Sequence, residues 1–200
     1  MQGKDRFLKK QINLLFFSIL FFIIFCCKNT NAEEVGLKVE NYIKNLNFFS
    51  SKFIQSNGSS LEEGYIYIKD TKIRLDYFYP DRTLIISKKK GVYINHELKE
   101  ESFFSTKKNI VKIFYDIFLD HNFFASEIFV ENNGEIFFEK KITIDSTKTS
   151  LKIFFENNPL LLRKIIAENA NEVISISFNE HNYNSVFDEK LFSFVPIYSN

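Results

Sequence analysis

The chain has 200 residues, with 26 Lys and Arg against 25 Asp and Glu, three histidines, two cysteines and no tryptophan. A formal net charge of +1 offers no basic excess for a phosphate backbone, which excludes a nucleic-acid binder. The cysteines, Cys26 and Cys27, are adjacent, so no distant thiol pair staples a core and no thiolate set holds a metal.

The N-terminus carries Lys4, Arg6, Lys9 and Lys10, then an apolar run from Ile12 to Cys27, then polar Lys28-Asn29-Thr30-Asn31-Ala32. This is the profile of a secretory leader, with a run shorter than the ~20 residues of a membrane helix and small residues before a cut after Ala32. An uncleaved anchor is the alternative reading. A lipidated cysteine is disfavoured, because Phe25 precedes Cys26 and Cys26 precedes Cys27 where small residues are needed. Residues 33–200 are then one cysteine-free domain of 168 residues, with 21 basic and 24 acidic groups and a net charge near −3. A chain of that size buries a core without cross-links.

From Glu33 to Asn47, Val35, Val39, Tyr42, Ile43 and Leu46 recur at three- and four-residue steps and predict an amphipathic helix. Beyond it the period becomes two. Turns are expected at Asn57-Gly58, Asp70-Thr71, Pro80-Asp81, Lys90-Gly91, Asn133-Gly134, Asn158-Pro159 and Asn169-Ala170-Asn171. Between them lie aromatic and β-branched stretches at 48–55, 65–69, 73–79, 83–87, 92–95, 126–131, 135–145, 150–156, 160–168 and 173–178, which predict an antiparallel meander. Asn133-Gly134 is the sharpest hairpin signal, since the tightest turn needs positive φ at both central positions. Asn109–Asp120 returns to helical spacing, with Ile110, Ile113, Phe114, Ile117 and Phe118 on one broad stripe. The expected class is therefore mainly β (α+β), with two apolar-faced helices.

Little in this pattern supports catalysis. His96, His121 and His181 sit in or beside predicted loops without a partner at i+4, so neither a nucleophile–base pair nor a metal site is expected. Phosphate-cradling glycine loops and the nucleophile elbow of hydrolases are absent. Glu62-Glu63 and Glu100-Glu101 read as exposed hairpin charge, since adjacent residues on a strand would point to opposite faces and be poorly placed to share a proton. Lys88-Lys89-Lys90 reads as a solvated basic tip, or as a docking point for an anionic surface. The protein is expected not to be an enzyme and to carry no cofactor.

Phe49-Ser50-Ser51-Lys52-Phe53-Ile54-Gln55 has the form F-x-x-x-F-x-Q, and Gly64-Tyr65-Ile66-Tyr67-Ile68-Lys69 and Arg74-Leu75-Asp76-Tyr77-Phe78-Tyr79-Pro80 follow it. In this order the three segments resemble successive strands of the periplasmic outer-membrane lipoprotein carrier (LolA) family. Leu84–Ser87 and Val92–Ile94 stand where that family has a hairpin, and Phe192-Ser193-Phe194-Val195-Pro196 resembles its closing F-x-F-x-P. The resemblance implies an incomplete, strongly curved antiparallel half-barrel closed by a helical lid. It also implies a monomeric periplasmic carrier that takes acylated lipoproteins from an ATP-driven inner-membrane exporter and yields them to an outer-membrane acceptor. A lipid- or lipoprotein-binding receptor or sensor on the same half-barrel is the alternative. One departure concerns lid control: the lid-holding arginine of the family's R-P-G turn is replaced at Asp70-Thr71-Lys72 by Asp70, with Arg74 the next arginine.

The expected acyl-chain lining is one face of the central strands, Phe53, Ile66, Ile68, Ile73, Leu75, Tyr77 and Ile85, faced by Ile110, Phe114 and Ile117 of the lid helix. Each methylene moved out of water is worth about 0.8 kcal/mol, so such a cavity offsets the cost of soluble acyl chains without covalent chemistry. The same residues packed on one another would form an ordinary dry core. Glutamate at Ile73 or Leu75 is expected to leave folding largely intact and to abolish lipoprotein recovery.

Overall fold

The structure, a computed structural model, describes residues 30–106, 111–125 and 127–198. The first 29 residues, which include most of the expected leader, lie outside the described residues. Helix α1 spans Thr30–Lys44, so the expected cut after Ala32 falls in its first turn. Its stripe behaves as the spacing predicts: Val39, Ile43 and the following Leu46 are buried, with Val35 and Tyr42 packed beside them. Glu33 near its start and Lys44 at its end complement the helix dipole.

The remainder is a meander: β1 (Phe49–Ser56), β2 (Leu61–Lys69), β3 (Lys72–Tyr77), β4 (Arg82–Ser87), β5 (Gly91–Asn95) and β6 (Glu100–Phe104) precede helix α2 (Val111–Leu119). After it come β7 (Val130–Asn132), β8 (Glu135–Ile144), β9 (Thr147–Glu156), β10 (Leu161–Glu168) and β11 (Val173–Asn182), then a 3-10 turn at Glu189–Phe192. All pairings are antiparallel, and β11 returns to pair with β1, giving the order β6-β5-β4-β3-β2-β1-β11-β10-β9-β8-β7. The sheet stays open between β6 and β7. It is the half-barrel with a helical lid that the resemblance implies.

Two faces follow from the register. Phe53, Gly64 and Tyr77 stand in line across β1–β3, as do Ile66, Leu75 and Leu84 across β2–β4 and Ile68, Ile73 and Ile86 beside them. These join Phe178, Ile165, Ile153 and Phe138 from the other half in one core that also contains the helix residues. Thr83, Ile85, Val92 and Ile94 face the opposite, convex side, under Phe194 and Tyr198 of the C-terminal segment.

Asn133-Gly134 forms the expected tight turn, with φ of 50° and 82°. Several boundaries differ, as with β2 and β11, which are each four residues longer than expected. The expected strand at 126–131 shrinks to Val130–Asn132, because Phe123, Phe124 and Phe129 are drawn into the core by an irregular turning segment instead. Strand β6 escapes prediction because Glu-Glu-Ser-Phe-Phe has no apolar alternation. Strand β3 ends at Tyr77, where Phe78–Asp81 form the turn.

Candidate functional site

Phe53, Ile66, Ile68, Ile73, Leu75 and Tyr77 lie on the concave face, each no more than 7% exposed. Phe114 and Ile117 of α2 meet them in the same core. Ile110 lies outside the described residues. Ile85 is a correction: β4 carries three consecutive apolar residues, and its pairing with Arg74 and Val92 turns Ile85 to the convex face while Leu84 and Ile86 point inward. Because Ile73 and Leu75 are fully buried under the helices, a glutamate at either would put an unpaired charge in the core and endanger folding as well as binding.

The cover has two parts. Helix α1 lies over the β9–β10 side, where the Tyr42 ring meets Phe155 edge-on at 6.1 Å and its hydroxyl accepts the Leu162 N–H at 3.1 Å. Burial holds the Tyr42 phenol well above its ordinary range. Helix α2 is short and buried on most sides, with Val111, Ile113, Phe114, Asp116, Ile117 and Phe118 all covered. Its Phe118 ring meets Phe178 of β11 edge-on at 6.4 Å.

The segment after α2 is fastened by an inward-facing cation. Lys140 follows Phe138 on the concave side of β8, and its ammonium donates to Phe123 O at 3.2 Å and to Glu127 Oε1 at 2.5 Å, 4.9 Å from the Phe123 ring centre. Asp116 of α2 pairs with Lys112, yet its burial raises its carboxyl above the ordinary value. Nothing in the spacing marked Lys140, since the run Glu139-Lys140-Lys141 reads as solvated charge.

A cleft of about 320 Å³ opens beside α2, between Ile113 and the ends of β8–β11. Ile144, Ala167 and Ile174 provide its apolar wall, and Asp145, Thr147, Thr149, Asn169 and Glu172 its polar rim. It lies within the size range of small-molecule pockets and sits at the edge of the cover.

The expected lid-turn residues do other work. Asp70 sits in the β2–β3 turn with φ of 54°, and its N–H donates to Asn47 Oδ1 at 2.9 Å, tying the turn to the end of α1. Arg74 is not on the lid. Alternation with inward Ile73 and Leu75 sends it to the convex face, where Nε meets Asp76 at 2.8 Å and Nη1 donates to Leu191 O at 2.7 Å. The histidines are mainly structural: His96 lies between Thr83 Oγ1 and Tyr198 Oη at 3.0 Å each, and His181 is within β11 at 2.9 Å from Leu162 O. Burial lowers the His181 pKa. Glu62 and Glu63 part as expected, to Arg82 and Lys52 respectively. Of the basic turn, Lys90 folds back towards the rings of Phe103 and Phe194. No helix among the described residues is long and apolar enough to cross a membrane.

No protein-family model and no curated protein matches the chain in sequence. Among solved structures it is similar to an uncharacterized conserved protein from Thermus thermophilus, at TM-score 0.53 and 7% identity over 81% of this chain and 95% of that one. It is also similar to MucB, at TM-score 0.49 and 11% identity over 83% of this chain and 63% of MucB, so the chain spans less than two thirds of that protein's length. A third is the hypothetical protein CT021 from Chlamydia trachomatis, at TM-score 0.43 and 10% identity over 74% and 94% of the two chains. At 7% identity the Thermus likeness is one of fold, extending over nearly the whole of that relative.

Proposed function

We propose that the protein is an exported, periplasmic carrier that shelters the acyl chains of lipoproteins between its concave sheet and helical cover. One observation carries this reading. The concave face is a continuous apolar surface closed by two short helices and a turning segment instead of by further strands, with a cleft at the edge of α2. Burying one chain of a dozen or more methylenes gains roughly 10 kcal/mol at about 0.8 kcal/mol each, enough to offset parting such a cover. The motif order described above supports the same reading, and the leader-like N-terminus supports export. Loading by an ATP-driven exporter and unloading to an outer-membrane acceptor belong to the proposal, since an apolar surface alone gives no direction.

Native mass spectrometry of the protein isolated from the periplasm tests it, with Ile144→Glu and Ile174→Glu as variants. These cleft residues are half-buried, so the charge sits at the rim instead of inside the core. A co-purifying acylated protein is expected on the natural chain and not on folded variants. A natural chain with no bound lipid, even after incubation with a triacylated peptide, would remove the reading.

A further inference from the structure

The concave face does not stay apolar to its end. Arg82 of β4 pairs with Tyr77 of β3, and Glu62 of β2 pairs with Gln55 of β1, so these four positions share the inward face at one end of the sheet. The Arg82 guanidinium lies 4.2 Å over the Tyr77 ring and donates to Glu62 Oε2 at 2.5 Å. Gln55 accepts from the Tyr77 hydroxyl at 3.2 Å and donates to Glu62 at 3.4 Å. One donor is left over: Nε of Arg82 is buried and has no hydrogen-bond partner among the described residues. A buried donor in that condition costs its desolvation without return.

This collar lies at the same end of the sheet as the cleft. Gln55 pairs with Ile176 of β11, two residues from the cleft residue Ile174, and Ala167, Thr149 and Ile144 continue round the same end. An amphiphile lying along the concave face with its tail on the apolar core would bring its head to this polar end. Helix α2 packs against β4, the strand bearing Arg82.

We infer that Arg82 is a head-recognition residue whose Nε–H receives the carbonyl oxygen of an acyl ester or amide. The inference rests on the carrier reading and adds the ligand's polar chemistry. Glu62 already neutralises the guanidinium, so an incoming carboxylate would meet a carboxylate, whereas a neutral oxygen acceptor meets the free donor without that repulsion. Tyr77 provides the floor, and its burial pushes its phenol up to about 12, keeping it a neutral donor to Gln55.

Titration calorimetry with three probes tests this: dioctanoylglycerol, the dioctyl ether of glycerol that lacks both carbonyls, and decanoate. The natural chain is expected to bind the diester about tenfold more tightly than the diether, the size of one hydrogen bond from a charged donor. Arg82→Lys keeps the charge for Glu62 but loses the Nε donor. It should erase that preference and leave diether affinity unchanged. Glu62→Gln gives an independent reading by raising decanoate affinity severalfold. Equal affinity of the natural chain for both glycerides, equal weakening of both by Arg82→Lys, or no gain of decanoate binding in Glu62→Gln would overturn the inference while the carrier reading stands. Failure of the natural chain to bind either glyceride would overturn both.

Discussion

Gly64 shows how closely single residues are fitted to the concave face. It stands between Phe53 and Tyr77 in the register, and those rings meet edge-on at 5.1 Å across it. A Cβ at this position would lie 2.1 Å from the Asp76 carbonyl oxygen and 2.9 Å from the Phe53 ring. Gly64→Ala is therefore expected to destabilise the fold by about 1–3 kcal/mol, the range of overpacked cores, as read from the urea midpoint at unchanged slope. An unchanged midpoint would show that the strands separate there at no cost. Alternation alone made Phe53, Ile66, Ile68, Ile73, Leu75 and Tyr77 legible in the sequence. It failed at Ile85, because Leu84-Ile85-Ile86 is apolar on both faces and only pairing with β3 decides which residue points inward. It could not reveal Arg82 either, since a charge at a strand end looks like solvated turn until Tyr77 and Glu62 are seen beside it.

At the scale of elements, the cover over the concave face depends on a helix that buries an acid. Asp116 faces Lys112 on its own helix, and Asp120 and Lys140 also act on it; burial dominates and raises its carboxyl pKa. The sign of the consequence is fixed by linkage. A carboxyl with a folded-state pKa above its unfolded value of 3.8 binds more protons when folded, so its contribution to stability improves as pH falls from neutral towards 3.8. The quantity that isolates this group is natural chain minus Asp116→Asn. That difference in unfolding free energy should rise in favour of the natural chain as pH is lowered through the acidic range, and a difference independent of pH would show that Asp116 titrates normally. The helical period made both helices legible, and turn chemistry located most hairpins. The segment between α2 and β7 was not legible, because Phe123, Phe124 and Phe129 are as suited to a strand as to the irregular wrap that packs the first two edge-on and the third stacked against Phe138.

At the scale of the whole molecule, the sheet uses its two faces differently. Its free edges are short, three residues in β7 and five in β6, which limits the unpaired backbone available to another chain. The convex face is covered by the chain's own C-terminal segment. Phe187 stacks on Phe48 at 6.5 Å and meets Tyr67 at 5.7 Å, Arg74 and Lys72 hold the carbonyls of Leu191 and Phe192, and Glu101 accepts the N–H groups of Ile197 and Tyr198. Phe192 is 2% exposed, and Phe194 and Tyr198 cover Ile85, Val92 and Ile94. A chain ending at Ser185 would uncover all of these. At roughly 1.5–3 kcal/mol for each fully buried large apolar side chain, the loss should reach several kcal/mol and lower the unfolding temperature markedly. None of the removed residues belongs to the concave core, so under the proposed carrier function the shortened protein, where it remains folded in the cold, should take up a triacylated peptide as the full chain does. Loss of uptake by a folded shortened chain, where the full chain takes the peptide up, would mean that the C-terminal segment acts on the proposed acyl site across the sheet, and the division of labour between the two faces would have to be abandoned.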